Sequence, residues 1–166
     1  MSELEFLSTD RTRTGGGFEP VFRSPLADAL AAAGPDVRDL SALGKVEVRG
    51  DVEGFDGLAS AERIPLTPGR TLFLCAPEET ARLREALADP SRTVVDVTGA
   101  LAGLELRGER LLRRLTDLDL DGLPAVGAVA RVTTIVLRTG EEFRLFFPQE
   151  YARSMAEVVL DAAAGL

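Results

Sequence analysis

The sequence predicts an α+β protein made of two duplicated halves, each a ferredoxin-like βαββαβ unit. Two observations support this fold class. First, a segment with a hydrophobic period of two, residues 104–107, is followed by Gly108 and then by residues with a period of about 3.6. Second, short patterns in the first part of the chain return in the same order in the second part. A strand that turns into an amphipathic helix is therefore expected in each half.

Three pairs of segments form this internal repeat. Paired by position, they are 37–41 with 94–98, 45–50 with 103–108, and 77–82 with 148–153. Chance recurrence of short strand–turn pieces is the alternative explanation. The repeat predicts pseudo-repeats of about 36–90 and 93–164 within a single domain, 18–166, preceded by an N-terminal arm, 1–17.

The N-terminal residues have little apolar surface with which to offset the entropy of ordering. Residues 1–17 are rich in Ser, Thr and Arg and end in three glycines, which predicts a flexible arm. Ser24 then reads as a helix N-cap, with Pro25 at the first helical position. We expect this helix to end at Ala33, because glycine and proline follow it.

The first pseudo-repeat contains two predicted strands, 37–40 and 45–49, and a third strand, 71–75, that is apolar on both faces. Cys75 is expected to pack as a small hydrophobic residue, although a reactive thiol is the alternative. A helix is predicted to begin at Pro77 and to bury Leu83 and Leu87. The next strand covers 93–97.

The second pseudo-repeat begins with a strand that ends at Gly108. A helix is predicted after it, with Leu111, Leu112, Leu115 and Leu118 on one face. Strands 127–137 and 142–147 are predicted to form a hairpin with Gly140 in its turn.

The last helix is predicted to begin near Pro148. Its apolar stripe comprises Tyr151, Met155, Val158, Val159 and Ala162. The chain ends before this half has its last strand. We therefore expect each half to complete its sheet with a strand of the other half.

Composition excludes several classes of function. The 166 residues carry a net charge of −8, and the arginines are mixed with acids, so we expect no nucleic-acid partner. No apolar run reaches the ~20 residues that cross a bilayer, and no signal peptide is apparent, which predicts a cytoplasmic protein without a membrane partner. The chain lacks histidine and has one cysteine, which excludes Ser-His-Asp and Cys-His catalysis, and no metal site is expected. Any chemistry would have to come from carboxylates, Lys45, arginines, hydroxyls or Tyr151.

A family resemblance rests on several motifs in their order. They are residues 22–26 (FRSPL), Leu74 with Pro77 and Glu78, 96–98 (DVT) through Gly108, 118–120 (LDL), and 143–163. With these motifs the chain resembles the gamma subunit of heterotetrameric sarcosine oxidase. That subunit is similar to the aminomethyltransferases of the glycine cleavage system, so the resemblance also implies the duplicated halves of their folate-binding domain.

The resemblance implies a small non-catalytic subunit of a sarcosine oxidase-type oxidoreductase complex. Its partners would be larger alpha and beta flavoprotein subunits, and FAD, FMN, NAD and tetrahydrofolate would bind those subunits rather than this chain. The aminomethyltransferases have a folate-serving aspartate where this chain has Leu118. A stand-alone, folate-dependent aminomethyltransferase-like protein is the alternative, and an acidic interaction module is a third reading.

The segment after the glycines is the expected partner interface. Phe18, Val21, Phe22 and Arg23 have no counterpart in the second pseudo-repeat. An aromatic-bearing segment outside the duplicated core commonly marks a contact with another protein. The alternative is that these aromatic side chains pack on the sheet of their own chain.

Overall fold

The computed structural model of the chain describes residues 23–31, 33–55, 58 and 60–165. Its strands are β1 (Val37–Asp39), β2 (Gly44–Arg49), β3 (Glu62–Thr67), β4 (Arg70–Cys75), β5 (Thr93–Asp96), β6 (Leu101–Arg107), β7 (Ala125–Val129), β8 (Val132–Thr139) and β9 (Glu142–Pro148). Its α-helices are α1 (Thr80–Leu87), α2 (Glu109–Arg113) and α3 (Ala152–Ala164). The predicted α+β class is confirmed.

Within these residues the strands form two antiparallel sheets. One sheet has the order β1-β6-β9-β8-β7 and the other has the order β3-β4-β2-β5. The first strand of the chain thus joins the sheet of the second half through β6, and β5 joins the sheet of the first half through β2. Each sheet thus has an edge strand from the part of the chain that forms most of the other sheet, as expected from the sequence.

The two sheets pack face to face, and helices cover their outer faces. Leu72 and Leu74 of β4 meet Ile135, Leu137 and Phe146 of the five-stranded sheet. The result is a four-layered arrangement of helix, sheet, sheet and helix.

The outer layers complete the core. The five-stranded sheet presents Leu104, Leu106, Phe143 and Leu145 to α2 and α3, and the four-stranded sheet presents Val46, Val48, Phe73 and Cys75 to α1. Leu83 and Leu87 of α1 are fully buried, as predicted.

The predicted N-terminal helix is wrong, because residues 25–31 form a run of turns. Its hydrogen bonds are sparse, with Ala27 N donating to Ser24 O at 3.2 Å and Leu30 N to Leu26 O at 2.9 Å. So short a segment cannot sustain a helix by propensity alone. Leu26 still packs in the main core with no exposed surface.

The predicted single strand 127–137 is in fact a hairpin. β7 and β8 meet at Ala130 and Arg131, whose φ angles are +47° and +69°. Two positive φ angles are typical of the tight turns that normally contain Asn-Gly, and here neither residue is glycine. The chain therefore carries no local signal of this turn.

β3 was not predicted, because Pro65 interrupts its pattern. The strand lies at the edge of its sheet, where proline is tolerated, and its register shifts between Pro65 and Thr67. The stripe predicted on the last helix is also partly wrong. α3 buries Ala152, Met155, Ala156 and Val159, whereas Tyr151 and Val158 are exposed.

Candidate functional site

The chain passes from one sheet to the other after β1 and again after β5, and this region is called here the crossing. Matched hydrogen bonds hold it. At the end of β1, Leu40 N donates to Gly103 O at 2.8 Å, and Gly103 N donates to Ser41 Oγ at 3.1 Å. Asp39 Oδ1 accepts from Ser41 N at 2.8 Å and so fixes the turn. β1 is thereby hydrogen-bonded to β6 beyond Asp39, the last residue of β1 that is paired with β6 in the sheet.

The end of β5 repeats this geometry in the other sheet. Val97 N donates to Lys45 O at 2.9 Å, and Lys45 N donates to Thr98 Oγ1 at 2.9 Å. Asp96 Oδ1 accepts from Thr98 N at 2.9 Å. Residues that match in the sequence repeat therefore also match in their hydrogen bonds.

Lys45 lies inside this crossing with no exposed surface. Its Nζ donates to Ser41 O and to Leu43 O, each at 2.8 Å, and lies 5.9 Å from the centre of the Phe146 ring. The side chain thus attaches the loop between β1 and β2 to the packed layer between the sheets. Gly103 is its counterpart in the repeat, where an added Cβ would lie 2.9 Å from Phe146 Cε1.

Burial lowers the pKa of Lys45 from 10.5 to about 8, because the charged amine loses its hydration. The carboxylates of Asp39 and Asp96 oppose this effect. An amine of this pKa could act as a base or nucleophile, yet Nζ is enclosed and bonded to two carbonyl oxygens. Its geometry is suited to holding the crossing and does not present the amine to a substrate.

Two clusters of charge lie where the sheets meet, each partly exposed to solvent. In β2, Glu47 accepts from Arg49 Nε at 2.9 Å and from Arg70 Nη2 at 2.6 Å. These contacts, led by the hydrogen bond from Arg70, lower the pKa of Glu47. Arg144 of β9 donates to both oxygens of Glu62 in β3, at 2.6 and 2.7 Å, and so joins the two sheets.

Sequence reasoning missed the burial of Glu47. Residues 45–49 alternate charged and apolar side chains, which is the pattern of a strand with one face in water. In the structure the charged face meets the second sheet. The pairing of sheets is a long-range property, so no local pattern distinguishes the two cases.

A cavity of about 190 Å³ lies between the sheets beside Glu47 and Arg70. It is lined mainly by apolar side chains, including Ile135 and Phe146. A wider and more open cleft of about 650 Å³ lies beside the turn between β3 and β4, where residues 50–53 face Arg63.

Leu118 is the residue that stands where the resemblance places a folate-serving aspartate. It lies outside α2, which ends at Arg113, so the long leucine face predicted for this helix is wrong. The chain turns away because Thr116 Oγ1 accepts from Leu118 N at 3.2 Å and donates to Ala128 O at 2.6 Å. Leu118 packs against the main core and above Gly127. Asp119 is exposed.

Cys75 packs as the small hydrophobic residue that the sequence predicted. It is buried in the outer core of the four-stranded sheet, with Sγ 3.8 Å from Thr80 Oγ1. Burial raises the pKa of the thiol, which disfavours the reactive thiolate.

One of the four predicted interface residues can be placed. Arg23 is largely exposed, and its Nη2 donates to the exposed Asp28 at 2.8 Å. The other three, Phe18, Val21 and Phe22, lie outside the described residues, so the interface stays a prediction. None of the helices in the described part of the chain has the length and apolar character that crossing a bilayer requires.

Two proteins of known structure have a similar fold. A chain of heterotetrameric sarcosine oxidase from Corynebacterium sp. U-96, in complex with pyrrole 2-carboxylate, matches with a TM-score of 0.73 at 17% identity. The match covers 88% of this chain and 96% of that chain. Our chain shares this fold.

A second match is aminomethyltransferase T of the glycine cleavage system from Bartonella henselae, with a TM-score of 0.56 at 15% identity. It covers 93% of this chain but only 56% of that chain, so our chain spans about half of the transferase. No protein-family model and no curated protein sequence matches the chain. At the level of the fold, the resemblance indicated by the sequence motifs is confirmed.

Proposed function

We propose that this chain is the small, non-catalytic gamma-type subunit of a sarcosine oxidase-like oxidoreductase complex. The main support for the proposal is that the structural match covers nearly all of both chains: 88% of this chain and 96% of a chain from a heterotetrameric sarcosine oxidase. A protein that corresponds to a whole subunit chain is more naturally a subunit than a fragment of a transferase.

The interior of the fold gives a second line of support. The space between the sheets is occupied by apolar side chains, and the partly exposed Glu62–Arg144 ion pair joins the sheets at the edge strand β3. The cavity that remains there, about 190 Å³, is smaller than the ~300–1,000 Å³ typical of sites for drug-sized ligands. Leu118 also gives no carboxylate for folate chemistry. In this proposal FAD, FMN, NAD and tetrahydrofolate bind the larger alpha and beta subunits, and this chain stabilises their cytoplasmic assembly.

The finer fold assignment belongs to the same proposal. We infer that the halves are duplicated ferredoxin-like units that exchange their edge strands. The inference rests on the hydrogen bonds of residues 39–41, which recur at 96–98, and on the equivalent positions of β1 and β5 at the sheet edges.

Purification of the tagged full-length chain from its native cells tests the function. We expect larger subunits to co-purify in fixed stoichiometry, with flavin absorption that sarcosine bleaches. The isolated chain should be colourless and should not bind tetrahydrofolate in calorimetric titration. A colourless monomer with a dissociation constant of about 1 μM for tetrahydrofolate, or about −8 kcal/mol, would instead support the transferase alternative.

The proposed interface can be tested in the same complex. Deletion of residues 1–23 should leave the melting temperature of the isolated chain unchanged and should release the larger subunits in size-exclusion chromatography. Loss of stability without loss of assembly would show that these residues pack on their own chain. Full retention of both properties would exclude both roles.

A further inference from the structure

The outer edge of β5 presents backbone groups that its own sheet does not use. β5 is the last strand of the four-stranded sheet, so among the described strands only β2 pairs with it. Val97 N donates to Lys45 O at 2.9 Å just beyond the strand, and hydrogen-bonded residues alternate along an antiparallel pair. Val95 therefore bonds β2, while the N–H and C=O groups of Val94 and Asp96 point away from it. A free edge of this kind can accept a further strand.

A groove runs beside this edge on the outer face of the sheet. α1 packs across β2 and β5 and leaves an opening of about 360 Å³ next to the edge. The opening is lined by Ala81, Arg84, Glu85, Ala88 and Val94. On the inner face of the same strand, Val95 is 40% exposed. An added strand would therefore find apolar surface for its side chains on both faces of the sheet.

The equivalent edge of the five-stranded sheet is covered by the chain itself. There the sequence repeat places Val37 of β1 where the other sheet has Val94. Val37 N donates to Gly34 O at 3.3 Å and so has a partner outside the sheet. Ser24 donates to the carboxylate of Asp39 at the end of the same strand. The segment that precedes β1 thus holds its outer edge.

The helix beside that edge is covered by the same segment. α1 and α3 bury their first, fourth and eighth residues, so the two helices face their sheets alike. Their fifth residues differ, because Ala156 of α3 is buried and Arg84 of α1 is exposed. Leu26 is fully buried in the core that contains Ala156, and its neighbours Pro25 and Ala29 line a cleft with α3. Among the described residues, the groove beside α1 and β5 has no such cover.

The charges at one end of the groove indicate what kind of segment would cover it. Burial chiefly raises the pKa of the Cys75 thiol, and the carboxylates of Glu79, Asp96 and Glu78 raise it further. All three acids therefore lie near the start of α1, where β5 ends. Arg84 is the one base that lines the groove. A basic side chain is complementary to the acidic end.

We propose that the edge of β5 and the groove beside α1 bind an extended segment of one of the larger subunits, which adds a fifth strand to the four-stranded sheet. The identity of the partner rests on the proposed function. The segment carries a small or aliphatic side chain over Val94, another beside Val95, and a lysine or arginine near Asp96 and Glu85. Backbone hydrogen bonds to Val94 and Asp96 give affinity, and these side chains give specificity.

Hydrogen exchange followed by mass spectrometry, on the full-length chain alone and in the purified complex, tests the added strand. The amides of Val94 and Asp96 should exchange rapidly in the isolated chain and about tenfold or more slowly in the complex. The amide of Val95 already bonds β2 and should change less. Protection in the isolated chain that disappears on deletion of residues 1–23 would show that this chain covers its own edge. Protection that rises with the concentration of the isolated chain would show pairing with a second copy, and either result would overturn the proposal.

Two variants separate the backbone and charge contributions. Val94→Pro removes the outward N–H and leaves the hydrogen bonds to β2 intact, so it should raise the dissociation constant of the complex about tenfold. Glu85→Lys should raise it about fivefold, whereas Glu157→Lys, the same charge change at the equivalent position of α3, should leave it unchanged.

The melting temperature of each isolated variant shows whether it is folded, and Glu85→Lys with its control decides the matter if Val94→Pro is not. Wild-type affinity in both variants, or unchanged exchange at Val94 and Asp96 in the complex, would overturn this inference alone. Absence of larger subunits from the wild-type purification would overturn the proposed function and this inference with it.

Discussion

Replacing Lys45 by methionine should remove a pH dependence of stability that the wild-type chain carries. Lys45 is the only lysine in the sequence and has no exposed surface. Its pKa is lowered from 10.5 to about 8, chiefly because burial removes water from the charged amine. At about 1.36 kcal/mol per pKa unit, this difference corresponds to about 3 kcal/mol.

The direction of this pH dependence follows from how many protons the folded and unfolded states bind. Below pH 8 the amine is charged in both states, and the folded state bears the full cost of burying it. Between pH 8 and 10.5 the folded protein releases the proton while the unfolded chain keeps it, so the free energy of unfolding rises with pH. The gain is complete above pH 10.5 and is lost as the pH falls through 8. Methionine has no proton to release, so the variant lacks this rise.

Urea unfolding at a series of pH values from 7 to 10.5, followed by circular dichroism, measures the effect. The difference between wild type and Lys45→Met isolates Lys45, because both proteins keep every other titrating group. One of these is Cys75, whose raised pKa makes stability fall at high pH in both. Methionine also leaves the carbonyls of Ser41 and Leu43 without a donor, which costs about 1–3 kcal/mol per group. This cost lowers the unfolding free energy of the variant by the same amount at every pH, so it does not change how that free energy depends on pH.

The expected result is a difference in unfolding free energy that grows by about 3 kcal/mol in favour of wild type between pH 7 and 10.5. Parallel curves would refute the reasoning, since they would mean that the amine titrates at the same pH in the folded and unfolded states. A change in the urea m-value of the variant would show a change in the surface exposed on unfolding, and the comparison would then be repeated with Lys45→Leu.

Three further predictions concern packing and reactivity. Gly103→Ala should cost about 2–3 kcal/mol in chemical denaturation, because its Cβ would lie 3.0 Å from the Leu40 backbone, which cannot move aside; an unchanged midpoint would contradict this contact. Gly127→Ala should cost only about 1 kcal/mol, because its Cβ meets the flexible side chain of Leu118 at 2.4 Å, and the cost should shrink in a Leu118→Ala background. Cys75 is buried and should react with a disulfide reagent far more slowly in the folded chain than in the urea-unfolded chain at the same pH, so equal rates in the two states would indicate an accessible thiolate.

The amino-acid pattern was sufficient for elements whose structure is decided locally. The pattern of β6 predicted the burial of Leu104 and Leu106 but not that of Glu105 on the opposite face. The leucines of α1 predicted its buried face, and the repeat predicted the exchange of edge strands. For these leucines, burial leaves a periodic trace in the sequence. The predicted class and the exchange were therefore accessible without coordinates.

Other features depend on residues far apart in the chain and left no such trace. The positive φ angles of Ala130 and Arg131 lie in a turn that also has Ala130 N donating to Leu115 O at 2.7 Å. The inner position of Glu47 depends on a second sheet covering β2. In both cases a long-range contact overrides the local preference, and only the assembled fold reveals it.

The exchange of edge strands also constrains how the chain folds. β1 pairs with β6, so Val37 must contact Leu106 although all four strands of the other sheet lie between them in the sequence. Contacts at such sequence separation lose more chain entropy before they form, and proteins rich in them fold slowly. The four-stranded sheet is complete only when β5 is present, and the five-stranded sheet is complete only when β1, far earlier in the chain, joins it. We therefore expect the chain to fold as one cooperative unit, since neither sheet is complete without a strand from the other part of the chain.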